Sequence, residues 1–356
     1  METVFVAMSG GVDSSYSAYL LREQGYKVVG VTFQLLPAAL KSIRNPKACC
    51  SAETVARAKK VADSLGIPHY VVNLRKEFEE HVIGPFLDEY RSGRTPNPCI
   101  ACNKHVKFVA FPDRAFSIGA DMVATGHYAI IEELSSGEYR LKKGHDAAKD
   151  QSYFLYPIKT DLMKRTLFPL GRLTKKDIKL DAAQLGWNLR AVQESQDICF
   201  IPENDCKSFL SEHLHLKKGP IHDADGKLVG THEGIHLYTI GQRRGLGIPY
   251  KEPLYVVDII PAENRLIVGP KALLKRKKLA ARDWNLLVEE SSGLLSGALR
   301  AKVRYRQKEE ACTINISGSR LEVDFINPVN SVTPGQSVVI YNGSTVVGGG
   351  IIESSE

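Results

Sequence analysis

Ser9-Gly10-Gly11-Val12-Asp13-Ser14-Ser15 follows the short apolar run Val4-Phe5-Val6-Ala7 and opens an amphipathic stretch that continues to about Gln24. A buried strand turning at once into a helix is how a parallel α/β unit begins. The composition of this turn suits an anion. Glycines let the backbone come close to a phosphate, the helix N-terminus offers N–H groups and partial positive charge, and Ser14 and Ser15 add hydroxyl donors. Asp13 is suited to hold Mg²⁺ against the same phosphates. The stretch has neither the lysine of G-x-x-x-x-G-K-[ST] nor the spacing of G-x-G-x-x-G, so it is not a kinase-type P-loop or a dinucleotide fingerprint. A strand-to-helix turn with a serine cap is the structural alternative.

Outward from this turn, Val28–Thr32, Tyr70–Val72 and Met122–Thr125 read as further buried strands. The segment Ser51–Leu65 puts Val55, Ala58, Ala62 and Leu65 on one face, and Gly66 with Pro68 stops it, which predicts a crossover helix. A second helix is expected from Asn103, as N-cap, to about Ser117 with Gly119 as terminator. The fold class is therefore α/β with a parallel sheet. After about residue 200 the chain becomes dense in Gly, His and Pro, including Gly219-Pro220 and Gly241–Gly247, and a small middle domain is expected. From about 275 the pattern alternates like strands: Ala301–Arg306, Thr313–Ile316, Leu321–Phe325, Val338–Tyr341 and Val346–Ile352, with an Asn342-Gly343 hairpin turn. This predicts a small antiparallel barrel. The expected domains are 1–203, 204–274 and 275–356.

A chain of 356 residues exceeds what one core usually fills. With 43% hydrophobic and 24% charged residues and no apolar run near the ~20 residues of a membrane span, a cytoplasmic protein without a membrane partner is expected. The net charge of +7 is compatible with a polyanionic partner without demanding one. Seven cysteines over this length read as catalytic or metal-binding thiols before disulfides in a reducing compartment.

Two segments hold the informative thiols. Arg94-Thr95-Pro96-Asn97-Pro98-Cys99-Ile100-Ala101-Cys102-Asn103 is a proline-stiffened loop leading to two cysteines at a helix start, where the dipole stabilises a thiolate. Its C-x-x-C spacing alone serves redox dithiols, zinc sites and iron–sulfur clusters equally. Ser195-Gln196-Asp197-Ile198-Cys199-Phe200-Ile201 sets one cysteine between apolar neighbours after a polar turn. Read by itself, Cys199 is a core thiol. Cys49 and Cys50 precede a helix, and packing is expected there; Cys206 and Cys312 read as structural.

The loop at 9–15 resembles the S-G-G-x-D-S signature of PP-loop ATP pyrophosphatases, which cleave ATP between the α and β phosphates and leave a substrate adenylate. Together with Gly93–Asn103, Thr125–Tyr128, Lys149–Leu155, Ser195–Ile201, Gly241–Gly247, Val303–Gln307 and Pro334–Gln336, it makes the whole chain similar to the tRNA-specific 2-thiouridylases. The resemblance implies adenylation of the oxygen on carbon 2 of the wobble uridine, then attack by a cysteine persulfide. It implies ATP contacts from Ala7, Met8, Ser9, Gly10, Gly11, Val12, Asp13 and Ser14, with Phe33 and Gly126 flanking the adenine. The structural alternatives for the last two are a core aromatic and a strand-end glycine. Cys199 would carry the persulfide, and Cys102 would be its partner, able to form a transient disulfide with it. Asn97, Pro98 and Cys99 would lie against the target base. His127, Lys149, Asp150, Gln151, Arg304, Tyr305 and Gln336 fall at tRNA-contact positions, although His127 also reads as a satisfied interior histidine. ATP, Mg²⁺, tRNA and an upstream protein that donates a persulfide are the implied cofactors and partners.

Cys99 departs from the pattern, since many relatives have aspartate there, proposed to handle protons at the base. The change creates a Cys99, Cys102 and Cys199 set that suits a [4Fe–4S] cluster with one iron open to sulfide. The persulfide relay and the cluster both stay open at this point. So do two other classes: a PP-loop ligase acting on a small molecule, and a tRNA-binding module without catalysis.

Overall fold

The computed structural model describes residues 1–37, 52–187, 198–201, 203 and 205–356. Two compact units make up the chain. The first comprises Met1–Ile83, Pro98–Asn204 and Ser344–Val346, and the second Gly84–Asn97, Asp205–Gly343 and Val347–Glu356.

The first unit is built on five parallel strands: β1 (Thr3–Ala7), β2 (Lys27–Gln34), β3 (His69–Asn73), β4 (Met122–Ala124) and, after the antiparallel hairpin of β5 (Ala129–Glu133) and β6 (Tyr139–Lys143), β7 (Thr166–Leu167). Their order is β3-β2-β1-β4-β7, so the winding direction reverses between β1 and β4. Open α/β sheets bind ligands at the carboxyl ends of strands at such a reversal. Two helices follow the expected lines, α1 (Val12–Glu23) and α2 (Ala52–Leu65). On α2, Ala58, Val61, Ala62 and Leu65 are buried with Val4, Val6, Leu21 and Val28, and removal of this apolar area from water holds the helix on the sheet.

Four expectations need correction. The strand expected over Ala301–Arg306 stops at Lys302, and residues 303–306 form a turn. β3 is an edge strand, not a buried one, with Tyr70 and Val71 exposed, because nothing pairs with its outer side among the described residues. The second helix begins five residues early. Pro98–Ala101 is already helical and Cys102–Ala110 continues it as a π-helix, so Asn103 lies inside the helix instead of capping it. Its amide donates to the Phe154 carbonyl at 2.9 Å, an anchor that competes with capping. The helix does end near the expected place, at Ser117. Ser15 is fully buried on the core side and adds no hydroxyl to the loop surface.

In the second unit, β8 (Gly219–Asp223), β9 (Leu228–His232), β10 (Tyr255–Ile260) and β11 (Arg265–Gly269) form a small sheet over Ile221, Ile235, Val256, Leu266 and Val268. The remaining strands are β12 (Lys275–Leu286), β13 (Leu299–Lys302), β14 (Glu310–Ser317), β15 (Arg320–Asn330), β16 (Ser337–Asn342) and β17 (Thr345–Ser355). They follow the order β12-β15-β14-β13-β16-β17, and β12 pairs with β17 to close an antiparallel barrel of six strands. Leu279, Ala281, Leu321, Val323, Phe325, Val338, Ile340 and Val347 fill it. Among the described residues no helix is long and apolar enough to cross a membrane.

Candidate nucleotide and thiol site

The loop at the reversal point is shaped by two glycines. Gly10 has φ +67°, and a Cβ there would lie 2.5 Å from the Thr54 carbonyl oxygen. Only glycine fits. Gly11 is the extended N-cap of α1 with no side-chain cap, which leaves the first-turn N–H groups for an anion. Ser14 Oγ accepts from Ser9 N at 3.0 Å and donates to Gly11 O at 3.2 Å, closing the loop on itself. Met8 N is tied to Val31 O at 2.7 Å and Met8 O accepts from Thr32 Oγ1 at 2.8 Å. Across the reversal, Gly126 sits so close to α1 that a Cβ would be 2.9 Å from Ser14 N. Phe33 is buried and its ring lies 4.9 Å from that of Phe111, the packing of a core aromatic.

Asp13 brings in a residue that the sequence does not reveal. Lys175 Nζ donates to both Asp13 carboxylate oxygens at 2.6 Å, and Tyr128 Oη donates to Oδ1 at 2.6 Å. Lys175 begins the helix Lys175–Gln184, whose N-cap Thr174 accepts from Asp177 N, and its backbone N–H donates to Asp146 at 3.0 Å. Its side chain is 8% exposed and that of Asp13 33%. The loop that lacks a P-loop lysine in sequence thus has one delivered from 162 residues downstream. Thr174-Lys175-Lys176-Asp177 signals only a helix start, and nothing local says that one of its lysines is buried. The Asp13 carboxylate is taken up by Lys175 and Tyr128, so it offers no ready seat for Mg²⁺ in this arrangement.

His127 is buried, with Nδ1 2.7 Å from Thr125 Oγ1 and its ring packed against those of Phe108 and Phe168. Burial, and secondarily the Lys107 charge, hold its pKa well below the ordinary histidine value. Asp150 points into its own turn, accepting from Gly144 N, Ser152 N and Ser152 Oγ, whereas Gln151 Oε1 accepts from Tyr128 N at 3.0 Å. Lys149 is half-buried beside them.

The thiols lie in distinct environments. Cys99 is exposed on the short helical turn, Cys102 is buried at the start of the π-helix, and Cys199 is half-buried. π-Helical stretches recur at functional sites. Phe200, next to Cys199, packs edge-on to Phe78 at 5.8 Å. Ser195, Gln196 and Asp197 of the same motif, and Cys49 and Cys50, lie outside the described residues. Among the described residues no three His, Cys, Asp or Glu side chains are grouped to hold a metal ion. Cys312 is in the barrel core, where burial pushes its thiol up to about 12, and Cys206 lies 3.9 Å from Tyr90 Oη.

In the second unit, the Arg304 guanidinium donates to Ile240 O at 2.8 Å, Ser331 O at 3.2 Å and Thr333 Oγ1. Lys302 lies over the half-buried Tyr305 ring at 5.5 Å. Gln336 Nε2 donates to the Thr95 carbonyl at 2.8 Å and the Pro96 carbonyl at 3.2 Å.

Comparison with known proteins gives the same layout. Residues 2–203 match the family model described as tRNA methyl transferase HUP domain, 207–270 the tRNA methyl transferase PRC-barrel domain, and 276–352 the aminomethyltransferase beta-barrel domain. The chain is 46% identical over 358 residues to the tRNA-specific 2-thiouridylase MnmA of Heliobacterium modesticaldum, covering 99% of this chain and 92% of the relative. It is 43% identical to that of Halothermothrix orenii, covering all of both chains. With MnmA 1 of Clostridium botulinum the identity is 45%, over 98% of this chain and 99% of the relative. An uncapped turn at the reversal of a parallel sheet, matches to three family models in order along the chain, and full-length identity at this level give one conclusion: the chain belongs to the tRNA-specific 2-thiouridylase family.

Proposed function

We propose that this protein is an ATP-dependent tRNA sulfurtransferase that replaces the carbon-2 oxygen of the wobble uridine with sulfur. The observation that carries the proposal is the Ser9–Ser14 turn: an uncapped helix N-terminus with a buried lysine beside it, in a chain related over its full length to 2-thiouridylases. The uridine oxygen attacks the α-phosphorus of ATP and pyrophosphate leaves. Loop N–H groups and the Lys175 ammonium suit the charge that develops on the phosphates, and Mg²⁺ enters with the nucleotide as part of the substrate. Adenylation converts a poor leaving group into AMP.

The terminal sulfur of a Cys199 persulfide then attacks carbon 2, and AMP departs. The Cys102 thiolate attacks the inner sulfur of Cys199, breaking the sulfur–sulfur bond, leaving sulfur on the base and forming a Cys102–Cys199 disulfide. An external thiol must reduce that disulfide before the next turnover, and an upstream persulfide-bearing protein reloads Cys199. Asn97, Pro98 and Cys99 meet the target base, and Lys149 and Tyr305 serve the RNA backbone and bases. The work divides over 1–203 for catalysis and 204–274 and 275–356 for tRNA, in the cytoplasm.

The test separates the steps. Cys199→Ser should abolish thiolation from a persulfide donor yet still release pyrophosphate with tRNA present. Cys102→Ser should accept a persulfide on Cys199 but stall after attack. Loss of iron and activity together in Cys99→Ser, Cys102→Ser and Cys199→Ser, with a wild type that uses sulfide, would replace the relay by a cluster. Pyrophosphate release that ignores tRNA would favour a small-molecule ligase.

A further inference from the structure

We propose that Gln336 is a positioning residue that holds the loop ahead of Cys99 by clamping its backbone. The proposal rests on the reading above, in which Asn97 to Cys99 meet the target base. The Gln336 side-chain amide nitrogen carries two hydrogens, and two carbonyls take them: Thr95 O at 2.8 Å and Pro96 O at 3.2 Å. A phosphate contact from the same nitrogen would require release of one of them.

The surrounding turn is shaped for this contact. Thr95 N donates to Pro334 O at 2.9 Å. Gly335 has φ +89°, and a Cβ there would lie 2.9 to 3.0 Å from the Thr95 backbone, so the two strands of chain touch only because residue 335 has no side chain. Gln336 is itself fixed, its carbonyl accepting from Ile352 N at 2.8 Å and its N–H donating to Thr333 O at 3.1 Å. Farther back, Glu89 accepts from Arg94 at 2.7 and 2.8 Å and from Arg282 at 3.0 Å, while Tyr90 O meets His236 Nδ1 at 2.7 Å. Residues 84–97 are accordingly part of the same compact unit as the barrel. Pro96 and Pro98 flank Asn97 and restrict its backbone, so fixing the Thr95 and Pro96 carbonyls goes far toward fixing Asn97.

Two readouts test this in Gln336→Met, which keeps length without a donor, and Gln336→Glu, which sets carboxylate oxygens against the two carbonyls. Hydrogen exchange in the protein without ATP or tRNA should speed up about tenfold at Thr95 and Asn97, with residues 337–342 still protected. In turnover, kcat for thiolation should fall about tenfold or more, with tRNA affinity kept within about twofold. Unchanged exchange, or a tRNA Kd raised tenfold with kcat intact, would overturn the clamp and make Gln336 an RNA contact. Gln336→Asn, one methylene shorter, is the gentler variant should either of the others fail to fold, and it predicts the same direction. If the wild type thiolated no tRNA, the function would fall while the exchange measurement still judged the clamp.

Discussion

At the scale of single residues, the Asp13 and Lys175 pair joins catalysis to stability. Lys175 is the more deeply buried partner, so removing Asp13 leaves an ammonium without its counter-charge, whereas removing Lys175 leaves a carboxylate that water can still reach. Asp13→Ala should therefore cost about 1–3 kcal/mol, below the figure for a fully buried pair because Asp13 is one-third exposed. The double variant Asp13→Ala with Lys175→Met should recover most of that stability in thermal or denaturant unfolding. It should not recover activity. Lys175→Met alone should lower tRNA-dependent pyrophosphate release by about 10²-fold, the scale of a lost phosphate-site donor, with tRNA binding within about twofold. Unaltered pyrophosphate release in Lys175→Met would remove the lysine from the nucleotide site. His127 makes a separate case. Its folded pKa lies below the unfolded value of 6.5, so unfolding takes up a proton when the pH is low. The neutral ring's contribution is present above about pH 6.5 and lost as pH falls toward the folded pKa. The His69 ring, lowered chiefly by burial and then by Lys59, acts in the same direction. Melting temperature should decline from pH 7.5 to 5.5 at constant salt, and a flat or rising profile would contradict this.

Among the elements, what sequence makes legible is what repeats with a period. Val4–Ala7 and Val28–Val31 are continuous apolar runs, α2 has an apolar face, and the alternating segments after residue 310 are strands in the barrel. β12 has no clear strand signature of its own. Its first four residues, Lys275-Arg276-Lys277-Lys278, look like a solvated charge run, and they do lie at the surface, while Leu279, Ala280 and Ala281 behind them are buried. The helix start at Pro98 was missed because Asn103 is a good capping residue by type, whereas its side chain is engaged by the Phe154 carbonyl, 51 positions away. Local preference yields to a long-range hydrogen bond there. Asn103→Ala should cost about 1–2 kcal/mol of stability. It should also slow thiolation, since Cys102 is its neighbour at the head of the π-helix. The check is a denaturation curve beside a thiolation assay, and retained stability would mean that the Phe154 contact contributes little. The candidate site was legible in the glycines and cysteines, whose chemistry is local. Lys175 was not, because only the fold brings it to Asp13.

For the whole molecule, the excess of basic residues and the family relationship make a polyanion the expected partner. Affinity for tRNA should fall at least about tenfold between ~50 and ~200 mM salt, measured by filter binding or fluorescence, and a salt-independent affinity would argue for a small substrate. Arg304, which the family resemblance assigns to RNA, anchors carbonyls at 240 and 331, so Arg304→Ala should reduce stability as well as binding. The barrel closes with the end of the chain. Gly335 N donates to Ile352 O, Ile352 N to Gln336 O, and the Lys277 and Lys278 amides to Glu356 O. A stop codon at or shortly before Ile352 would thus not be a harmless trimming: it would cut the seam that holds residues 335 and 336 against Thr95, and a genetic screen should score such alleles with active-site lesions.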